Sequence, residues 1–150
     1  MLMLPNIIWA LGQKPEGYEE AVKRENSTLL LLERVGEVGV TICLLVFPAF
    51  NPNIKKLPEG VYFEWSILLW AAAFVLMILY ECYWIKYFRS FRTMQDFYSS
   101  FAGFPVAGAT LPVIASFLLG IYSENLFMII FSVILGIGHI GIHIMHRKEI

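Results

Sequence analysis

The stretch NLFMIIFSVILGIGHIGIHIMH, residues 125–146, decides how this chain is read. A bilayer core of about 30 Å is crossed by about 20 mostly apolar helical residues. This stretch supplies them without one Asp, Glu, Lys or Arg. Working outward from it, three more stretches have the length and character of spans: about 28–49, 61–86 and 100–122. A backbone surrounded by lipid must satisfy its own hydrogen bonds, so each is expected to be a helix. The expected fold class is all-α: a polytopic transmembrane bundle of four helices, residues 28–150, preceded by a short N-terminal interfacial and cytoplasmic helical segment, residues 1–27.

Composition agrees. Hydrophobic residues make up 58% of the chain and charged ones 15%, with a mean hydropathy of +0.66, where soluble domains carry about a quarter charged residues. A net charge of −1 excludes the basic excess that nucleic-acid binding requires. Cys43 and Cys82 fall near opposite ends of different spans, so the Cα separation of under about 7 Å that a disulfide needs is not expected. Both read as packing residues, and the absence of a CxxC motif argues against a quinone-coupled thiol oxidoreductase.

The connections carry turn signals. Pro48 and Asn51-Pro52-Asn53 end the first span, and Pro58-Glu59-Gly60 precedes the second. Residues 86–98 read as a helical extension followed by a turn. Ser123 is the expected N-cap of the fourth helix, with Glu124 at its positive dipole end. The loop there is so short that spans three and four must be antiparallel neighbours. Residues 1–11 are apolar but too short to cross, contain Pro5, and lack the basic region of a signal peptide. Residues 15–27 place Glu19 with Lys23 and Glu20 with Arg24 at i,i+4. A surface-lying segment followed by a solvated helix is expected.

Lys14, Lys23, Arg24, Lys86, Arg89, Arg92, Arg147 and Lys148 fall on one side of such a bundle, and Lys55 and Lys56 on the other. The positive-inside rule then puts both termini in the cytoplasm of a cell-membrane protein. Tyr62, Phe63 and Trp65 form an outer aromatic belt, with Glu64 solvated near the outer headgroups, and Tyr83, Trp84, Tyr87 and Phe88 form an inner belt.

The informative residues are ionisable ones where lipid should be: Glu33, Arg34 and Glu37 on the first span, Glu81 on the second, His139 and His143 on the fourth. At 1.5 Å per residue, Glu33 and Glu81 lie about 8 Å from the cytoplasmic end, Glu37 about 14 Å, His139 about 10 Å and His143 about 5 Å. Three helices thus bring charge to one layer. Glu33 and Glu37 are one turn apart, Arg34 reaches Glu37 at i,i+3, and His139 and His143 are again i,i+4. Ser132 and Gly136 share the histidine face and let another helix approach closely. An intramembrane ion pair fixing helix register is the simpler account of any one residue.

For the set, acid–base chemistry on a membrane lipid or amphipathic small molecule entering from the cytoplasmic leaflet is the favoured reading. Glu37 and Glu81 are the acid–base candidates, His139 the proton shuttle, His143 its support and Arg34 the anion holder. Glu33 and Tyr80 complete the ligand-binding set. No metal is assigned. A metal, if used, would be held by His139, His143 and Glu37, and no HExxH motif is present. Bis-histidine haem is disfavoured because every histidine lies on one helix. Other classes are a proton or ion-transport component, and a non-catalytic subunit or small regulatory protein whose polar face seats a homo-oligomeric copy or a partner membrane protein. The cofactor is unknown.

The segment order, with Glu33-Arg34-Val35-Gly36, the run Tyr83-Trp84-Ile85-Lys86-Tyr87-Phe88-Arg89, Phe104-Pro105 with Pro112, and Gly138-His139-Ile140, resembles that of small uncharacterised bacterial four-helix integral membrane proteins. The resemblance implies a shared architecture over the membrane region and no activity. The cofactor-binding residues of isoprenylcysteine and phospholipid methyltransferases are missing near the C-terminus.

Overall fold

Asn26 starts the first long helix by accepting hydrogen bonds from the main-chain N–H groups of Thr28 (2.9 Å) and Leu29 (3.2 Å), two donors that the first turn leaves without partners. In the computed structural model, which describes residues 3–50 and 65–150, that helix is the third of eight. They are α1 (Met3–Ala10), α2 (Tyr18–Val22), α3 (Ser27–Val46), α4 (Ile67–Arg89), α5 (Met94–Phe97), α6 (Ala107–Tyr122), α7 (Leu126–Leu135) and α8 (Gly141–Glu149). A π-helical segment, Gly136–Ile140, joins α7 to α8, so Leu126–Glu149 is one continuous 24-residue helix. No β-strand occurs among the described residues.

The all-α class stands. Two helices, Ile67–Arg89 and Leu126–Glu149, are long and apolar enough to cross a membrane. Helix α3 has 20 residues but carries Glu33, Arg34 and Glu37, and α6 has only 16. Helix α6 starts at Ala107, later than expected, because Phe101 and Phe104 close a tight loop by exchanging main-chain hydrogen bonds and Val106 is left-handed at φ 41°. Pro112 lies inside α6 without ending it. The expected turns at Asn51-Pro52-Asn53 and Pro58-Glu59-Gly60, the start of the second span at 61, Lys55, Lys56, Tyr62, Phe63 and Glu64 all fall outside the described residues.

Two local expectations are corrected. Asn125, not Ser123, caps α7, accepting from the Met128 N–H at 3.0 Å. Ser123 instead closes α6, its Oγ donating to Leu119 O at 2.8 Å. The i,i+4 pairs of the N-terminal segment do not form. Helix α2 is only five residues long, Lys14 pairs with Glu19 (3.6 Å), and Arg24 reaches Glu149 (3.9 Å). Helix α1 packs against α4 while Leu4, Ile7 and Ile8 stay exposed. The Tyr80 hydroxyl donates to Asn6 Oδ1 (3.1 Å) and the Tyr87 hydroxyl to Gln13 O (2.7 Å), so α1 runs beside the last third of α4 and in the same direction. Trp9 stacks on Phe97 at 5.2 Å to fasten it.

The packing runs from α4 to α6, from α6 to α7–α8 and from there to α3. Between α6 and α7, Ser132 Oγ donates to Ser116 Oγ at 3.1 Å, both side chains buried. Helix α3 and the last helix are antiparallel in close register. A Cβ on Gly36 would lie 2.4 Å from Leu135 N, one on Gly39 2.2 Å from the Phe131 ring, and one on Gly138 2.3 Å from Glu33 N. At Gly36 and Gly138 glycine lets the two backbones touch, and at Gly39 it makes room for the Phe131 ring. That contact positions the site described next.

Candidate functional site

The expected i,i+4 pair of histidines is part of a longer row. His139, His143 and His146, at i, i+4 and i+7, share one face of α8 and the π segment before it. The His139 and His143 ring centroids are 4.6 Å apart. The two ends of the row meet carboxylates: His139 Nδ1 contacts Glu33 Oε1, and His146 Nε2 contacts Glu25 Oε1 at 3.0 Å. The Glu25–His146 pair is enclosed, with side chains 8% and 1% exposed, whereas Glu33 and His139 retain 16% and 27%. His139 is therefore the histidine most open to a ligand.

Glycine sets this geometry. Gly138 lies on the backbone of Glu33, which brings the next residue, His139, against the Glu33 carboxylate. On α3 the buried residues are Gly36, Gly39, Val40 and Cys43, and Glu33 precedes Gly36 by three, on the same face. A π segment inserts an extra residue per turn and occurs often at functional sites. Here it contains His139 and re-phases α8 so that His143 and His146 face inward.

Aromatic rings from the connection after α4 enclose the row. Tyr98 meets His143 edge-on at 5.0 Å and stacks on His146 at 5.3 Å, and Phe97 lies 5.6 Å from His143. The 93–98 turn is held by a capping box: Thr93 Oγ1 accepts from Asp96 N (3.1 Å), while Asp96 Oδ2 accepts from Thr93 N (3.0 Å) and Oγ1 (2.8 Å). Partial burial pushes the Asp96 carboxyl up, but these bonds outweigh it and hold its pKa below the ordinary carboxylate range. Burial raises the Tyr98 hydroxyl pKa, with Tyr18 and Glu25 adding to the effect. Tyr18, edge-on to Trp9 at 4.8 Å, is pushed up to about 12 by burial and then by Glu25.

The other anticipated residues lie elsewhere. Arg34 and Glu37 pair at 3.2 Å on an exposed face of α3, their side chains 68% and 58% open. Glu81 is on α4, where its Oε1 is buried without a hydrogen-bond partner, and Tyr80 binds Asn6. Neither Glu37 nor Glu81 hydrogen-bonds to a histidine. Among the described residues no group of three or more His, Cys, Asp or Glu side chains is placed to hold a metal ion.

Chemically, a carboxylate accepting the Nδ1–H of His139 fixes the tautomer that leaves Nε2 free to take up or deliver a proton. Within the row, His143 Nδ1 and His146 Nδ1 are buried and unpartnered. Sequence reasoning missed Glu25 and His146. The i+7 spacing of His146 from His139 was a readable signal, but nothing local marks Glu25, which lies 121 residues away.

No protein-family model, curated protein or solved structure matches this chain.

Proposed function

We propose that this chain is an integral membrane protein of four spanning helices that binds, and modifies by acid–base chemistry, an amphipathic ligand in the cytoplasmic leaflet. His139 exchanges the proton and Glu33 orients it. The observation that carries the reading is the enclosed row of three histidines with a glutamate at each end. Groups of this kind are costly away from water, about 2.5–3.5 kcal/mol for a charge at a helix centre on insertion scales. They are retained where they face inward and satisfy one another.

Residence in lipid is supported by what the helices leave uncovered. Val38, Ile42 and Leu45 on α3, Phe74, Val75 and Ile78 on α4, and Phe127, Ile130 and Val133 on α7 are all exposed. Only 28% of the apolar window of each long helix is buried within the protein, unlike the core helix of a soluble domain. The basic residues at the ends of α4 and α8 favour a cytoplasmic location for that end. The acid–base role falls to His139 and Glu33 in preference to Glu37 and Glu81, which stand apart from the row.

Native mass spectrometry of detergent-purified protein, wild type beside the His139→Ala/His143→Ala variant, tests the reading. A lipid-sized ligand retained by the wild type and lost in the variant supports it. A wild type free of ligand, unchanged on adding membrane lipid extract, overturns it.

A second reading has its own observation. Arg34 and Glu37 form a charged pair on the same open side of α3 as Leu31, Val38 and Ile42. Charges facing lipid are unfavourable, so this face would seat a second copy or a partner membrane protein. Cysteine crosslinking through Val38→Cys in membranes would reveal such a contact.

A further inference from the structure

A half-open cavity of about 320 Å³ adjoins the histidine row, lined by Gln95, Tyr98, Ser99, Ser100, Arg147 and Ile150. Arg147 is part of its lining, and Lys86, outside it, reaches the same serine, Ser100. Arg147 Nη1 donates to Ser100 Oγ at 3.0 Å and Lys86 Nζ to Ser100 O at 3.5 Å. Among the described residues neither has a carboxylate within 4.0 Å. Three other cations at this end are engaged, Lys14 with Glu19, Arg24 with Glu149 and Arg92 with Gln13, whereas Lys23, Arg89 and Lys148 form no ion pair among the described residues. Asp96 is hydrogen-bonded in the Thr93 capping box and also feels the Lys86 charge. Ser99 Oγ is buried in the cavity wall and has no hydrogen-bond partner. A guanidinium and an ammonium directed at one serine, beside a buried hydroxyl with no hydrogen-bond partner, form a site with donors to spare.

We propose that this cavity binds a phosphate group, the anionic head of the amphipathic ligand. The proposal rests on the reading above and adds a headgroup class to it. The planar guanidinium of Arg147 offers paired N–H donors that match phosphate oxygens. Lys86 supplies a second charge, and the hydroxyls of Ser99 and Ser100 donate. Tyr98 forms the wall between cavity and row, one ring away from His143 and His146. A phosphate held here leaves the remainder of the ligand to reach past Tyr98.

The full-length protein in detergent is titrated with dihexanoyl phosphatidic acid, with dihexanoylglycerol and with inorganic phosphate, and binding is followed by tryptophan fluorescence. Phosphatidic acid should bind and dihexanoylglycerol should bind far more weakly. Lys86→Gln/Arg147→Gln, at two exposed positions that leave packing intact, should weaken phosphatidic acid by about tenfold to a hundredfold, the range a lost charge-assisted hydrogen bond gives. Arg147→Lys should restore part of the affinity. Lys148→Gln, at a cation that neither lines the cavity nor bonds to Ser100, should leave it unchanged. Competition by inorganic phosphate would identify free phosphate as the ligand; its failure to compete would identify the lipid headgroup, and either supports the cavity. Equal losses from Lys148→Gln and Arg147→Gln would mean diffuse surface charge and overturn the proposal. If both lipids bind equally and binding depends on His139, the phosphate site is refuted while the amphiphile reading survives. If inorganic phosphate binds through Arg147 and no amphiphile binds, the cavity stands and the amphiphile reading falls.

Discussion

Replacing Gly138 by alanine should separate α3 from the last helix and dismantle the Glu33–His139 contact. The new Cβ would lie 2.3 Å from Glu33 N and 2.7 Å from both Glu33 Cα and Leu29 O, all main-chain atoms. Ordinary van der Waals contact begins at 3.4 Å, so the two backbones must part by about 1 Å. Overpacking of this kind costs about 1–3 kcal/mol. Alanine recovers about 1 kcal/mol through helix propensity, leaving a net loss of about 0–2 kcal/mol. Gly141→Ala is the internal control. Its Cβ would meet only Leu29 side-chain atoms, the nearest at 3.2 Å, which can turn aside; that variant should be neutral or slightly more stable. Thermal unfolding in detergent compares the two, and histidine nitrogen NMR reports whether His139 keeps its carboxylate. A Gly138→Ala protein as stable as Gly141→Ala, with an unchanged His139 signal, would refute the close-approach argument.

Breaking the enclosed Glu25–His146 pair by Glu25→Gln or His146→Ala should each cost about 1–3 kcal/mol in thermal melts, because a buried polar group is left unmatched. Thr93→Ala removes the capping box and should cost about 0.5–2 kcal/mol, with a downfield or upfield shift of the His143 ring signals as Tyr98 loosens. Ser132→Ala should cost little, about 0.6 kcal/mol, the average for such bonds in membrane helices; a loss above about 2 kcal/mol would show a larger role for the Ser116–Ser132 contact. Tyr18 is raised from 10.0 to about 12 in the folded state. The unfolded chain therefore gives up this proton first as pH rises, so the contribution of Tyr18 is complete below pH 10 and lost as pH rises through about 12. Tyr18→Phe should flatten the alkaline limb of a stability–pH curve, and an unchanged limb would contradict the burial argument.

The helices were legible because apolar length is a one-dimensional signal. Which side of each helix faces inward was not, because the exposed sides carry large apolar residues much as the buried ones do. On α3 the carboxylates Glu33 and Glu37 are only one turn apart, yet one meets His139 and the other pairs with Arg34 in the open. The glycines at 36 and 39 mark the inward face and could have separated them, since Glu33 is in phase with Gly36 and Glu37 is not. Depth placed Glu81 level with the histidines, but α4 packs chiefly on α6, and its aromatic rings meet the row by way of Phe97. The π segment has no local signature, because one extra residue alters a single turn. Glu25 was hidden for a different reason: it sits in a polar stretch where another glutamate carries no information, and its partner lies at the far end of the chain.

Photolabelling tests the central claim most directly. An amphiphile carrying a diazirine beside its headgroup is activated in native membranes containing the protein, and the labelled peptides are sequenced. The account predicts label on Tyr98, on Ser99 and Ser100, and between His143 and Arg147, reduced when His139 and His143 are both alanine. Label confined to the open faces of α3 and α4, the same in wild type and variant, would contradict it.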